Sequence, residues 1–315
     1  MASDITVSVK CMVFNHGAYL KQCLEGFVRQ KTDFKYEVIV HDDASTDFSA
    51  GIIKEYADNY PEIIKPIFET ENQYSAGGFY RVIKIMNSRI KGKYVALCEG
   101  DDYWIDEFKL QKQVDYMESH TECGLVYTRM KELIQTTGNV AIGWSHQADF
   151  EQIIAGDNPI CTPTVMFRKD LYDLYFHDVD INPNWLMADY PLWLYLSFNS
   201  EIKCLDDITA VYRSLPNSAS HSSNISRMIE FTKSGYDISI FFVIKYSCHH
   251  LQDKITQRTI NSLFKLSLLH NKNISREIIR FAYKNKGLSF FTVAKVLLYS
   301  NKLGRKYLRN KNLMA

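Results

Sequence analysis

Glu99-Gly100-Asp101-Asp102 places three carboxylates within four residues, directly after the apolar run Tyr94 to Cys98 and before Tyr103-Trp104. Carboxylates at the open end of a short strand are hard oxygen ligands, suited to a divalent cation and through it to a phosphorylated ligand. The same residues also solvate loops and start helices, so the cluster takes its meaning from its company. A second acidic stretch, Asp42-Asp43-Ala44-Ser45-Thr46-Asp47, follows the apolar run Glu37 to His41. Asp43 can accept hydrogen bonds from a nucleobase or ribose, while Asp42 and Asp47 suit helix capping. The first apolar run ends in Met12-Val13-Phe14-Asn15-His16-Gly17. Phe14 is either a stacking surface for a base or a core aromatic, Asn15 can hold a turn through its side chain, and His16 reads as a loop residue.

The elements that must position these residues alternate in type. Residues 5–13 read as a strand, followed by Tyr19, Leu20, Cys23, Leu24 and Phe27 at helical spacing. The strand Glu37 to His41 leads to a helix carrying Ile52, Ile53, Tyr56 and Tyr60, which Pro61 stops. A helix with Phe79, Val82, Ile83, Met86 and Ile90 feeds the strand Tyr94 to Cys98. This alternation implies a largely parallel sheet covered on both faces. Parallel strands share one carboxyl edge, so the Asp43 and Asp101-Asp102 segments converge on one crevice. A helix at about 106–119 comes next, then a strand Gly124 to Thr128 and a less regular region through Gly156. Further on, the pattern gives a strand Pro163 to Arg168, a helix begun by Pro191, and a strand pair, Ile202 to Leu205 and Ile208 to Tyr212. From about Arg227 the chain reads as helical and basic, with a boundary near 225.

The 315 residues suffice for one large domain with an appendage, and 46% hydrophobic with 13% aromatic content excludes global disorder. Seven scattered cysteines without a Cys-x-x-Cys pair point to reduced thiols rather than a disulfide framework or zinc site. His249-His250 follow Cys248 without a second pair and read as packing or surface residues. The N-terminus lacks the basic and apolar regions of a signal peptide, and no run approaches the roughly 18–20 apolar residues of a spanning helix. A cytoplasmic protein is therefore expected, peripheral on the inner membrane face if it meets a membrane at all. The net charge of +1 conceals an asymmetry: 17 Lys and Arg face 4 Asp and Glu after residue 225, against 20 and 32 before it. The balances are +13 and −12. The basic part reads either as a helical cap with its charges in water or as a helix on an anionic membrane surface, the acidic part repels polyanions unless a cation intervenes, and no nucleic-acid partner is expected.

Taken in order, Val7 to Asn15, Val38 to Asp47, and Gly92-Lys93-Tyr94 leading to Glu99-Gly100-Asp101-Asp102 resemble the nucleotide-sugar half of the family 2 glycosyltransferases. The resemblance covers about residues 5–225. It implies a GT-A type fold, a Rossmann-like, mostly parallel α/β sheet with helices on both faces, here followed by the helical C-terminal region 226–315. Nucleotide-sugar binding falls in about 1–105 and the acceptor side in about 106–225. By the same likeness Asp43 contacts the base, usually uracil, Phe14 and Asn15 lie on the donor side, and Asp101 and Asp102 take the ribose and metal positions. Mg²⁺ or Mn²⁺ is the implied cofactor. In Met187-Ala188-Asp189-Tyr190-Pro191, Asp189 matches the general base; as a bare helix-start carboxylate it would contribute roughly 0.3–1 kcal/mol through the helix dipole. For the loop after the last strand the resemblance implies a phosphate contact for Arg213 and a metal ligand in His221, which read without it is a plain loop histidine. Arg81, Asn87 and Arg168 are further candidates for the crevice.

The chain departs from the family pattern at Met12, where proline is usual, at Glu99, which replaces the first aspartate of the Asp-x-Asp motif, and at Ala188, where a carboxylate is frequent. The implied reaction is inverting transfer of a sugar from a nucleoside diphosphate, a UDP-sugar first, to a glycan or lipid-linked acceptor in cell-surface polysaccharide synthesis. Metal-dependent nucleotidyl transfer, phosphate-ester hydrolysis, and a non-catalytic nucleotide- or membrane-binding scaffold are the competing readings.

Overall fold

The computed structural model describes residues 4–216, 224–287, 290–300 and 306. Its strands are β1 (Ile5–Val13), β2 (Lys35–Asp42), β3 (Ile64–Phe68), β4 (Tyr94–Leu97), β5 (Tyr103–Trp104), β6 (Cys123–Ile134), β7 (Asn139–Ile142), β8 (Met166–Arg168) and β9 (Glu201–Ser214). They form one sheet in the order β3-β2-β1-β4-β8-β6-β9-β5, with β7 paired to β6. β3, β2, β1 and β4 run parallel, as do β6 and β9, and β8 joins the two groups antiparallel to both neighbours.

The helices up to the last strand are α1 (Gly17–Val28), α2 (Ser49–Asn59), α3 (Gln73–Gly77), α4 (Phe79–Asn87), α5 (Lys109–Ser119), α6 (Phe150–Ala155), α7 (Lys169–Asp178) and α8 (Asp189–Asn199). After β9 come α9 (Ile225–Lys245), α10 (Gln252–Leu269), α11 (Ser275–Lys284) and α12 (Phe290–Ser300). The chain divides into two compact units, Met1–Phe150 with Pro159–Pro183 and Leu192–Ser214, and Glu151–Asn158 with Asn184–Pro191 and Leu215–Ala315. No helix among the described residues is long and apolar enough to cross a membrane.

In the first unit the period of two along β1 separates Val7, Val9, Cys11 and Val13 from Ser8, Lys10 and Met12. The first set packs with Leu24 and Phe27 of α1, Ile53 of α2 and Leu110 of α5 in the main core. On the other face Ile39 of β2 packs with Val82 and Met86 of α4, with Met12 and Ile67 at the margin. Both faces are covered, so each fully buried Val, Leu or Ile contributes roughly 1.5–3 kcal/mol. The entry to β4 is fixed by close backbone approach. A Cβ on Gly92 would lie 2.4 Å from the Ser8 backbone nitrogen. Without one, the Gly92 N–H donates to Ser8 Oγ at 2.9 Å, and that hydroxyl donates to Glu37 Oε1 at 2.8 Å. One buried serine thereby ties β1, β2 and the start of β4 together.

Several elements differ from the sequence expectation for identifiable reasons. β3 contains Pro66, which reads as a breaker, but the strand lies at the sheet edge, where a missing N–H is tolerated. The region after Thr128 is regular as far as Ile142, where β6 continues to Ile134 and β7 returns around Gly138 at φ +72°, while residues 143–149 form neither helix nor strand. The expected pair Ile202 to Leu205 and Ile208 to Tyr212 is the single strand β9. Its register against β6 slips between Leu205 and Ile208, and the bulged Asp207 meets Lys112 at 2.6 Å.

Candidate active site

The end of β1 organises the acidic segments. The Asp43 N–H donates to Val13 O at 2.9 Å on one side, and the Gly100 N–H donates to Met12 O at 3.0 Å on the other. Both carboxylate loops therefore leave the sheet beside the same two residues, as the shared-edge argument expects. A Cβ on Gly100 would lie 2.9 Å from His16 Nδ1 and from Val13 Cγ2, so only glycine lets the loop pass this closely.

On the β2 side, Asp43 is 5% exposed, and its two oxygens accept from the Gln73 N–H at 2.7 Å and the Tyr74 N–H at 3.0 Å. It thus holds the first turn of α3, and each oxygen retains a second lone pair for a ligand donor. Asn15 adopts φ +57°; its Oδ1 accepts from the Thr46 N–H at 2.8 Å, and Ser45 Oγ accepts from the Asn15 N–H at 2.9 Å. Asn15 is accordingly the turn-holder, bracing the loop that carries Asp43. Phe14 beside it is 45% exposed and free to offer a ring face. Asp47 links two helix starts, accepting from the Gly17 N–H and the Ser49 N–H at 2.9 Å each. Burial pushes its carboxyl up, but the bonds from Ser49 and Gly17 outweigh that and hold it below the usual carboxylate range.

On the β4 side, Asp102 is 3% exposed. Its Oδ1 accepts from the Arg213 N–H at 2.7 Å, and among the described residues its other oxygen accepts no hydrogen bond. Burial first, then the like charges of Asp101 and Glu99, hold this carboxyl well above the usual range, against the pull of Arg213. The Arg213 side chain is itself buried. Its Nε donates to Asp101 O at 2.7 Å and its Nη2 to Gln22 Oε1 at 2.9 Å, and Nη1 bonds Gln135. The guanidinium carbon lies 4.6 Å from the Tyr19 ring centroid and 5.4 Å from that of Tyr103. In this structure its charge is directed at the Asp101-Asp102 backbone and at two glutamines. Below the loop, Cys23 Sγ lies 4.0 Å from Cys11 Sγ and donates to Glu99 O at 3.4 Å. Burial pushes the Cys98 thiol up to about 12 and the Cys23 thiol well up, so both stay protonated. All seven cysteines are free.

Asp189 belongs to the second unit by its position in Asn184–Pro191. It opens α8, two residues earlier than the helix expected from Pro191, and its Oδ1 accepts from the Tyr190 N–H at 2.7 Å. Its flanks are anchored on α9. Trp185 meets Phe241 edge-on at 5.2 Å, the Leu186 N–H donates to Ser234 Oγ at 2.9 Å, and the Tyr190 hydroxyl lies 3.0 Å from Ser239 Oγ. The sequence reading names no partner for this segment, so it misses this anchoring.

Among the described residues no three His, Cys, Asp or Glu side chains form a group able to hold a metal ion. His221 lies outside the described residues. Of the other candidates, Arg168 donates to the carbonyls of Cys123 and Met117, Asn87 accepts from Lys10, and Arg81 donates to Gln73, each a contact within the protein. The residues that the sequence reading misses are Tyr19, Gln22 and Gln135 around Arg213. Tyr19 and Gln22 lie three apart on one helix face, but nothing in that spacing points to an arginine about 190 residues later.

The family model for glycosyl transferase family 2 matches residues 8–175. The uncharacterized protein Rv1520 of Mycobacterium tuberculosis is 33% identical over 226 residues, 70% of this chain and 62% of that protein, so the match spans less than two thirds of the relative. Among solved structures, TarS 1–349 of S. aureus in complex with UDP-GlcNAc aligns with a TM-score of 0.57 at 17% identity, covering 98% of this chain and 92% of that one. The mannosyltransferase PcManGT of Pyrobaculum calidifontis, in complex with GDP-Man and Mn²⁺, aligns with a TM-score of 0.56 at 12% identity, covering 98% and 89%. At these identities the structural likeness is one of fold.

Proposed function

This chain belongs to glycosyl transferase family 2, and we propose that it transfers a sugar from a nucleoside diphosphate to a hydroxyl of a glycan or lipid-linked acceptor in cell-surface polysaccharide synthesis. The observation that carries the reading is the suspension of Asp43 and Gly100 from adjacent residues at the end of β1. A nucleotide laid across that end meets a ring at Phe14, a base acceptor at Asp43 and the Asp101-Asp102 carboxylates at its phosphate side. Asn15 serves the donor by fixing the Ser45-Thr46 turn, and Arg213 by fixing the Asp101 backbone and Asp102. UDP-GlcNAc in TarS and GDP-Man in PcManGT support a nucleoside-diphosphate donor, and a UDP-sugar is the first choice.

Asp101 and Asp102 would supply part of a Mg²⁺ or Mn²⁺ shell. A buried aspartate with one oxygen free of hydrogen bonds, crowded by two like charges, is stabilised by a cation, and such ions complete their shells with water and substrate phosphate. Asp102 and Asp101 would hold it, with His221 as a further ligand on the family resemblance alone, and the bound ion would supply a counter-charge for the leaving diphosphate. Mn²⁺ in PcManGT supports this choice. Asp189 acts as the general base, taking the acceptor proton as the hydroxyl attacks the anomeric carbon from the face opposite the leaving group, which inverts that centre. We assign 1–225 as the catalytic domain, with the donor side in about 1–105, the acceptor side in about 106–225 and the helices of 226–315 as its C-terminal region. The test is Asp189→Asn, assayed for sugar transfer and for UDP affinity. Turnover is expected to fall at least about 100-fold with UDP affinity unchanged; undiminished turnover would remove the assigned base.

A further inference from the structure

The outward side of α11 is a basic face with apolar anchors. Arg276, Ile279, Arg280 and Tyr283 follow helical spacing and are exposed, as are Lys284 and Lys286 at the helix end. Ile279 is 41% exposed and Tyr283 77%, while Ile278, Phe281 and Ala282 on the opposite side are buried. The one carboxylate of this helix, Glu277, is only half-exposed, held by Lys233 at 3.0 Å and 3.6 Å from Arg280. On α12, Val293 and Leu297 repeat the exposed i, i+4 pair.

We propose that this face docks on an anionic lipid surface. Long cationic side chains around an isoleucine and a tyrosine are the chemistry of a helix lying in the headgroup region: the apolar groups enter the acyl boundary while the cations reach phosphate. The charge is complementary well beyond the patch, since residues after 225 carry 17 Lys and Arg against 4 Asp and Glu. A second copy of the chain is a poor occupant, because a symmetric contact would set this cationic patch against itself. The inference goes beyond the transfer reaction and does not depend on it.

The experiment is co-sedimentation of the full chain with phosphatidylcholine vesicles, with and without phosphatidylglycerol, followed by R276Q/R280Q and I279S/Y283S. Binding is expected only with the anionic lipid and should weaken with salt. The charge variant should lose about 30-fold and the apolar variant about tenfold or more in partitioning. All four side chains are exposed, so both variants should keep the wild-type circular dichroism and melting temperature. The proposal is overturned if the wild type ignores anionic vesicles, or if I279S/Y283S binds them as the wild type does, which would leave electrostatic adsorption without insertion of the apolar groups. It is also overturned if the lipid-free protein dimerises through this face and I279S/Y283S abolishes the dimer.

Discussion

Two ammonium groups lie buried among neutral partners in the first unit. Lys10 Nζ donates to Asn87 Oδ1 at 2.7 Å and the Tyr172 hydroxyl at 2.9 Å, and Lys109 Nζ donates to Gln113 Oε1 at 2.6 Å beneath the Trp104 ring. Burial pushes both down to about 7. In the unfolded chain they titrate near 10.4, so folding releases protons between the two values. The cost is absent above the unfolded value, grows as pH falls, and is complete below about 7. Unfolding free energy should therefore rise from pH 7 to pH 10, and the double variant Lys10→Met, Lys109→Met should flatten that rise in denaturant titrations. An unchanged slope would mean that other groups set it. Arg213 stands in the opposite situation, with its charge stacked between Tyr19 and Tyr103 and its donors matched to three acceptors. Lysine offers no planar fork and cannot reproduce that arrangement.

At the scale of elements, the strongly periodic parts were legible. β1, β2 and β4 and the helices α1, α2, α4 and α5 follow from apolar spacing alone, because burial on both faces leaves a continuous apolar record. What could not be read depends on pairing partners: Pro66 is tolerable only on an edge, and β9 is continuous only because its bulge at Asp206-Asp207 absorbs a register slip. The acidic crevice was visible as composition, while its suspension from Met12 and Val13 is a matter of register. The anchoring of the Asp189 segment on α9 was invisible, since Trp185 and Phe241 are 56 residues apart in the chain. It carries a prediction. Phe241→Ala removes the edge contact with Trp185, so turnover should fall several-fold while UDP affinity holds, because Phe14, Asp43, Asp101, Asp102 and Arg213 all lie in the first unit. Equal losses of both in kinetic and binding assays would assign Phe241 to general stability instead.

For the whole molecule, the division of charge organises the account. Residues 1–225 carry 20 Lys and Arg against 32 Asp and Glu, and Glu99, Asp101 and Asp102 lie within four residues of one another on the proposed phosphate side of the donor. Like charges at that spacing repel the ligand unless a cation stands between them. The basic residues after 225 include the face proposed above to dock on anionic lipid. The central claim is that Asp43 and Asp102 serve one nucleotide, with a metal at Asp102, and titration calorimetry of UDP into the full chain with and without Mn²⁺ tests it most directly. Wild-type affinity should rise at least about tenfold with Mn²⁺, Asp102→Ala should remove that gain, and Asp43→Ala should weaken UDP about tenfold with the metal effect intact. UDP affinity indifferent to Mn²⁺ and unchanged in both variants would contradict the account.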